Sequence, residues 1–242
     1  CMPASTISLN SWNEIFTIIN RDTLPRAGYV SSFPHVTLYG PRKYQGLGPK
    51  HPHYNQELTH LKTFVEQVNR ASSCGTRLQM TTEALRLELG CPGNFTDVPY
   101  NTMHHCATDA WIKTLWKSCN DWNISIQDNF GHLKLSREND LYLMPLFSKK
   151  GYHGWQLYQL NICRLYLHVV TLADLCTMQG DRISQSAFAG ERANQFLHNY
   201  RWPRNPPKLP ESFWQLWQIA LEDCVIQPGS RSKLIHQPLG KW

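Results

Sequence analysis

The chain has 242 residues, 41% of them hydrophobic and only 17% charged, enough apolar mass for a packed core and the wrong composition for a disordered polypeptide. Its formal net charge of +6 is a mild positive bias that suits a polyanionic partner and is shared by many ordinary proteins. No apolar run approaches the roughly 20 residues of a membrane-crossing helix, and the first residues lack the basic-then-apolar order of a secretory signal.

The predicted elements follow in chain order. Leu9, Trp12, Phe16 and Ile19 recur at helical spacing behind Ser8 or the Ser11-x-x-Glu14 box, either of which suits a helix start. Leu24-Pro25-Arg26 is expected to break that helix. Residues 28–53 read as a structured Gly, Pro and aromatic loop with one short strand at residues 35–39. Leu58, Leu61, Val65 and Val68 mark a second helix, and residues 82–88 a short third one ended by Gly90 and Pro92. A further helix carries Met103, Ala107, Ala110, Trp111 and Leu115 inward, followed by a half-buried strand at residues 123–127. Ser136 is the expected cap of a helix containing Leu141, Leu143, Met144 and Phe147, with Pro145 kinking its end.

The strongest signal spans residues 154–175. Trp155, Tyr158, Ile162, Leu165, Val169 and Leu172 form one stripe, and Leu160, Cys163, Leu167 and Val170 form another beside it. A helix this apolar around its circumference is buried on several sides. Residues 176–184 suggest a hairpin or tight turn, and residues 201–207 a stiff Pro-rich linker. Phe213, Trp217, Ala220, Leu221 and Cys224 outline a last helix, and a loose basic tail follows from Gln227. The expected fold is mainly α, or α+β with a few short strands. Its expected segments are residues 1–73, 74–200 around the central helix, and 201–242.

The eight cysteines are scattered without a C-x-x-C pair, which favours a reduced, intracellular protein over a disulfide scaffold. A chain that opens on Cys1 reads as a piece whose work depends on sequence elsewhere. Polymerase chemistry needs carboxylates that hold two metal ions, yet the nine aspartates include no adjacent pair. The G-x-S-x-G elbow, the phosphate-binding lysine loop and the H-E-x-x-H helix are likewise missing. His51-Pro52-His53 and His104-His105-Cys106 are local groups of zinc-ligand types, but neither is followed by a second pair at finger spacing.

Residues 39–50 are more informative. Arg42, Lys43 and Lys50 sit among glycines that let backbone amides approach an anion, and Tyr39 and Tyr44 offer rings for stacking. Such a loop can track a phosphate backbone without reading sequence; an ordinary solvent-exposed loop has the same composition. On the predicted central helix Asn161, Arg164, His168 and Thr171 form a polar line that must find partners when buried.

Taken in order, these segments carry a resemblance. Leu24-Pro25-Arg26-Ala27-Gly28-Tyr29, Phe33-Pro34, Tyr39-Gly40-Pro41 and Gly46-Leu47-Gly48 resemble the stretch that follows the palm in reverse transcriptases of retrotransposons. Gln45 stands where that family's "GGLG" turn has its first glycine. Farther on, Asp109 to Trp116 with Ile124-Ser125-Ile126, then Asn139-Asp140-Leu141-Tyr142-Leu143-Met144, are similar to its helix-then-strand and "D-x-x-LM" segments. Leu160-Asn161-Ile162-Cys163-Arg164-Leu165-Tyr166-Leu167 and Leu172-Ala173-Asp174-Leu175 resemble its "LN-x-CR-x-YL … SDI" text, with Ala173 in place of a serine. Trp202-Pro203, Trp214-Gln215-Leu216-Trp217 and Pro238-Leu239-Gly240-Lys241-Trp242 also fit.

The resemblance implies a thumb-like helical unit and helical extension of a multidomain RNA-directed DNA polymerase. It implies a chain that is not an enzyme on its own, with fingers and palm upstream and an RNA or DNA primer-template as partner. No catalytic residue, metal ligand or cofactor is then expected here; Mg²⁺ belongs to the parent polymerase. Arg42, Lys43 and Lys50 are expected on phosphates, Tyr39 and Tyr44 on sugars or bases. Arg164 is expected to anchor a structural network with Asn161 and Asp174. The competing expectation is a scaffold module in which Trp202, Trp214 and Trp242 anchor other domains or a subunit.

Overall fold

The computed structural model describes residues 6–127, 133–192, 200–203 and 206–241. The fold is mainly helical, and among the described residues extended pairing is limited to isolated antiparallel bridges such as Cys176 with Ile183 and Ile226 with Ile235. The chain forms two compact units, Cys1–Gly75 and Thr76–Trp242.

In the first unit, α1 spans Leu9–Arg26, α2 His35–Tyr39 and α3 Pro52–Val68. Ser8 caps α1, its hydroxyl accepting from the Ser11 amide at 3.1 Å. Pro25 does not break the helix: it occupies the last turn, and the stop comes at Gly28. There the Tyr29 amide donates to Leu24 O and the Gly28 amide to Pro25 O, with Gly28 at φ +84°. That pairing is a Schellman ending, which needs the left-handed residue glycine supplies. Residues 35–39, expected as a strand, are helical because Pro34 starts a turn in which the Leu38 amide donates back to its carbonyl at 2.9 Å. Leu38 is buried while Val36 is 88% exposed. Gln56 of α3 ties the start of the unit together, its Oε1 accepting from the Ile7 amide at 3.2 Å and from Trp12 Nε1 at 3.3 Å.

Helix α4, Ser73–Leu89, carries the chain from one unit to the next and is twice as long as its expected apolar stretch. In the second unit, α5 is Tyr100–Met103, α6 Trp111–Asp121, α7 Leu143–Lys150, α8 Gly154–Leu167, α9 Gln185–Ala189 and α10 Glu211–Cys224. The helix expected through Met103 and Leu115 is divided by a tight turn at His104–Cys106, beyond which the Glu88 carboxylate accepts from the Thr108 amide at 2.8 Å. Among the described residues the expected strand at 123–127 has no neighbouring strand: the Ile124 amide donates to Cys119 O and the Ile126 amide to Thr96 Oγ1. Ser136 caps no helix. Its amide donates to buried Asp140, and α7 begins seven residues later with Pro145 in its first turn, where a missing N–H costs nothing.

The buried α8 lies at the centre of this unit, in contact with α5, α7 and α10. It stops at Leu167 instead of running to 175, because His168 adopts a left-handed conformation at φ 59°. Val169, Val170, Leu172 and Leu175 are buried as their stripe requires, but on a turning backbone. Asp174 Oδ2 takes the Val170 and Thr171 amides at 2.7 and 3.0 Å, and the Leu172 amide donates to Leu141 O.

Arg164 is fully buried at the end of α8. Its Nε donates to Asn161 Oδ1 at 3.0 Å, Nη1 to Val169 O at 3.1 Å, and Nη2 to Leu87 O and, at 3.1 Å, to Glu88 O. The guanidinium therefore caps the C-terminal carbonyls of α4, where a cation is favoured. Asn161 extends the network to Cys106 O at 3.3 Å. Asp174 contributes charge to this region but spends its hydrogen bonds on backbone amides. Gly90 has φ +60°, and a Cβ there would lie 2.8 Å from Arg164 Cζ.

The C-terminal residues are not loose. Ile235 and Leu239 are buried, and the Ile235 amide donates to Asp181 O, His236 to Val225 O and Leu239 to Gly180 O. Arg137 clamps the same segment, donating from Nε to Gly240 O at 2.8 Å and from Nη1 to Met178 O at 3.1 Å. In the described part of the expected linker Trp202 packs inward, and with the preceding Tyr200 it lies against a cluster of Leu87, Leu133 and Val170. Burying this much backbone satisfies its polar groups internally, which is why a polar, basic composition did not mean a free tail.

Two outcomes follow. Replacing Arg164 with Met strands several buried carbonyls and should lower the stability of the second unit by about 3–5 kcal/mol, read as a lower urea midpoint. Arg164→Lys should recover little, since an ammonium cannot reproduce the planar fork. His168 is held down to about 4 by burial and by the adjacent Arg192 guanidinium, whose Nη2 is 2.9 Å from its Nε2. Unfolding then takes up a proton as pH falls, so stability is full above pH 6.5 and declines toward pH 4. His168→Gln should flatten that decline in urea melts recorded across the window.

Candidate nucleic-acid interface

The loop after α2 closes on itself. Tyr44 and Gly46 amides donate to Pro41 O, Gln45 to Arg42 O, Leu47 to Thr37 O and Gly48 to Gly40 O, all at 2.9–3.2 Å. Gly40 and Gly46 are there for backbone contact: a Cβ on Gly40 would lie 2.7 Å from Val36 O, and one on Gly46 would run into the Gly40 carbonyl. The expectation that glycine here exposes its amide to an anion is corrected at Gly46 and Gly48, whose amides are already used. Gln45 sits at φ 64°, ψ 15°, the left-handed region that suits the glycine of the resembling turn.

What the closed loop offers outward is side chains. Arg42, Lys43 and Tyr44 form a single 3₁₀ turn, and all three are exposed. Lys43 Nζ stands 4.7 Å from the centroid of the Tyr44 ring, and Tyr44 is 73% exposed. Arg42 rests along Gly48, its Nε donating to Leu47 O at 3.4 Å. Lys50 is exposed at the other end of the loop, just before α3. Tyr39 is placed apart from this group, half-buried on α2 and edge-on to His35 and His51 at 5.9 and 4.7 Å. The turn thus joins three of the five expected contacts and leaves Tyr44 as its outward ring.

A group of side chains that sequence reasoning read only as zinc-ligand types lies next to the loop. His51 and His53 flank Pro52 at the start of α3, with Tyr54 in the same turn and Glu57 in the next. His53 Nε2 is 3.4 Å from Glu57 Oε1. Burial, then the neighbouring His53 and His35, push the proton affinity of His51 below the usual histidine value. The signal that could have found the cluster is spacing: His35 and Tyr39 are four apart on α2, and His51 and Tyr54 three apart at the opening of α3. Among the described residues, no group of three or more His, Cys, Asp or Glu side chains is placed to hold a metal ion. His104, of the other expected group, stacks on Tyr100 at 5.2 Å, and Cys106 is fully buried.

In the second unit a cavity of about 380 Å³ is lined by Val98, Met103, Met144 and Pro145, with Asp97, Lys149 and Cys91 among its polar members. Burial pushes the Cys91 thiol up to about 12, so it is neutral near pH 7 and a poor nucleophile. The tryptophans expected as interface anchors are spent internally. Trp214 is 8% exposed and packs on Tyr166, and Trp202 stacks on His168 at 4.8 Å; Trp242 lies outside the described residues. Among the described residues, no helix is long and apolar enough to cross a membrane.

No family model, curated protein or solved structure matches the chain.

Proposed function

We propose that the chain is a nucleic-acid-binding, non-catalytic segment of a retroelement RNA-directed DNA polymerase, gripping primer-template or element RNA. In this reading the first unit is the thumb-like part and the second its helical extension. Fingers, palm and Mg²⁺ are supplied by upstream sequence of the same polyprotein, inside the cell. The observation that carries the reading is the Arg42-Lys43-Tyr44 turn, two exposed cations and an exposed ring on a loop whose amides are internally paired. Phosphates would be met by flexible side chains, which gives affinity without base readout. The ordered motifs of the sequence supply the link to reverse transcriptases.

A second reading has its own observation. On α1, Ile15, Ile18 and Ile19 are 40, 58 and 42% exposed, an apolar face that favours contact with another protein domain. Contact with upstream domains of the polyprotein would satisfy it without displacing the first reading; a pure scaffold would use it alone.

Titration of the full chain against a fluorescent duplex separates the two. Three phosphate contacts predict a salt slope near −2.7, or roughly a 40-fold loss of affinity between 50 and 200 mM salt. Arg42→Ala with Lys43→Ala should reduce the loss to about fourfold. Unchanged affinity and slope in that variant favour the scaffold.

A further inference from the structure

Around the first turn of α3 the rings form a continuous run. His35 lies 5.9 Å from Tyr39, Tyr39 4.7 Å from His51, His51 5.0 Å from Tyr54 and Tyr54 5.5 Å from His53. Three imidazoles are thereby gathered beside Lys50, and α3 has no acidic residue in its first turn. The Nδ1 atoms of His51 and His53 are enclosed and make no hydrogen bond. This cluster is part of neither the metal chemistry first suggested by its residue types nor the exposed turn at 42–44.

We propose that His51 is a proton-dependent phosphate contact, so that binding of a phosphodiester backbone at the adjoining loop is coupled to proton uptake by this imidazole. The inference rests on the nucleic-acid reading of that loop and deepens it by naming a further residue and a control on it.

The groups facing His51 decide the sign. On α2 these are His35 and Tyr39; in the loop, Lys50; on α3, His53, Tyr54, Glu57 and, one turn on, His60. Ile7, just before α1, and Trp12 of α1 meet this end of α3 on Gln56, and neither titrates. Without an anion, burial and the other imidazoles oppose charge on His51. A phosphate held by Lys50 and the loop supplies negative charge that offsets the repulsion, so binding raises proton affinity. By linkage protonation raises binding by the same factor. The phosphodiester keeps its charge across the range, so the change in charge belongs to the protein. Affinity is therefore highest at low pH and falls as pH rises through the range of the His51 imidazole.

The test is fluorescence anisotropy of the full chain with a labelled DNA duplex from pH 5.5 to 8.0, at several fixed salt concentrations. Affinity should rise about tenfold toward pH 5.5, and the salt slope should steepen by about 0.9 as the imidazole is recruited. H51Q should lose most of both changes. Imidazole resonances of the unsubstituted chain give a check that does not depend on the variant's folding: the proton affinity of His51 should increase when duplex is added. Affinity and slope independent of pH, or a His51 imidazole that ignores the duplex, overturn this inference while leaving the grip intact. Absence of binding at every pH in low salt overturns the grip and the inference together.

Discussion

A single guanidinium organises the larger unit. Arg164 is charged, has no exposure to solvent, and is surrounded by the carbonyls of Leu87, Glu88 and Val169 and the side chain of Asn161. Removing an ion from water costs several kcal/mol even after relaxation, roughly, so it must be matched by donors and acceptors in good geometry. The match fixes several elements at once: the end of α4, the end of α8 and, through Asn161, the turn at Cys106. It also explains Gly90, where a side chain would occupy the space of the guanidinium. Burial pulls the guanidinium down to about 10, which still leaves it charged at neutral pH.

The smaller unit follows the opposite rule. Its loop satisfies its own backbone and presents Arg42, Lys43 and Tyr44 outward. Backbone amides held in a nest select an anion by geometry, whereas mobile side chains attract a charged polymer at many registers. The second arrangement suits a grip on a strand that must slide. The exposed isoleucines on α1 form an apolar face that would suit contact with another protein domain.

Much of the helical fold was legible because the apolar spacing was strong. The start of α1 near Ser8 and the last helix around Trp217 follow from residue types alone. Helix α3 is legible too, but not its inner face: Leu58 and Val65, expected inside, are exposed, and His60, Phe64 and Val68 are buried. The misses have physical reasons. The stripe from 154 continues past 167 because Val169, Val170, Leu172 and Leu175 are buried whatever their backbone does, and nothing in the side chain of His168 announces a left-handed stop. Residues 123–127 alternate because one face is buried, yet among the described residues no strand lies beside them to form a ladder. The C-terminal residues read as a tail because their anchors, Arg137 and the 180–183 turn, are distant in sequence. At the loop, composition pointed to the cations and Tyr44, but the role of the glycines depended on a close approach between residues 40 and 46 that only the folded chain reveals.

The central claim, that nucleic acid is held at the 42–44 turn, is tested most directly by photocrosslinking the full chain to a halogenated-uracil strand and locating the adducts by mass spectrometry. The account predicts adducts at Tyr44 or its immediate neighbours, competed away by unlabelled duplex. Adducts confined to the second unit, such as at the exposed Trp155, or no competed adduct anywhere, would contradict it.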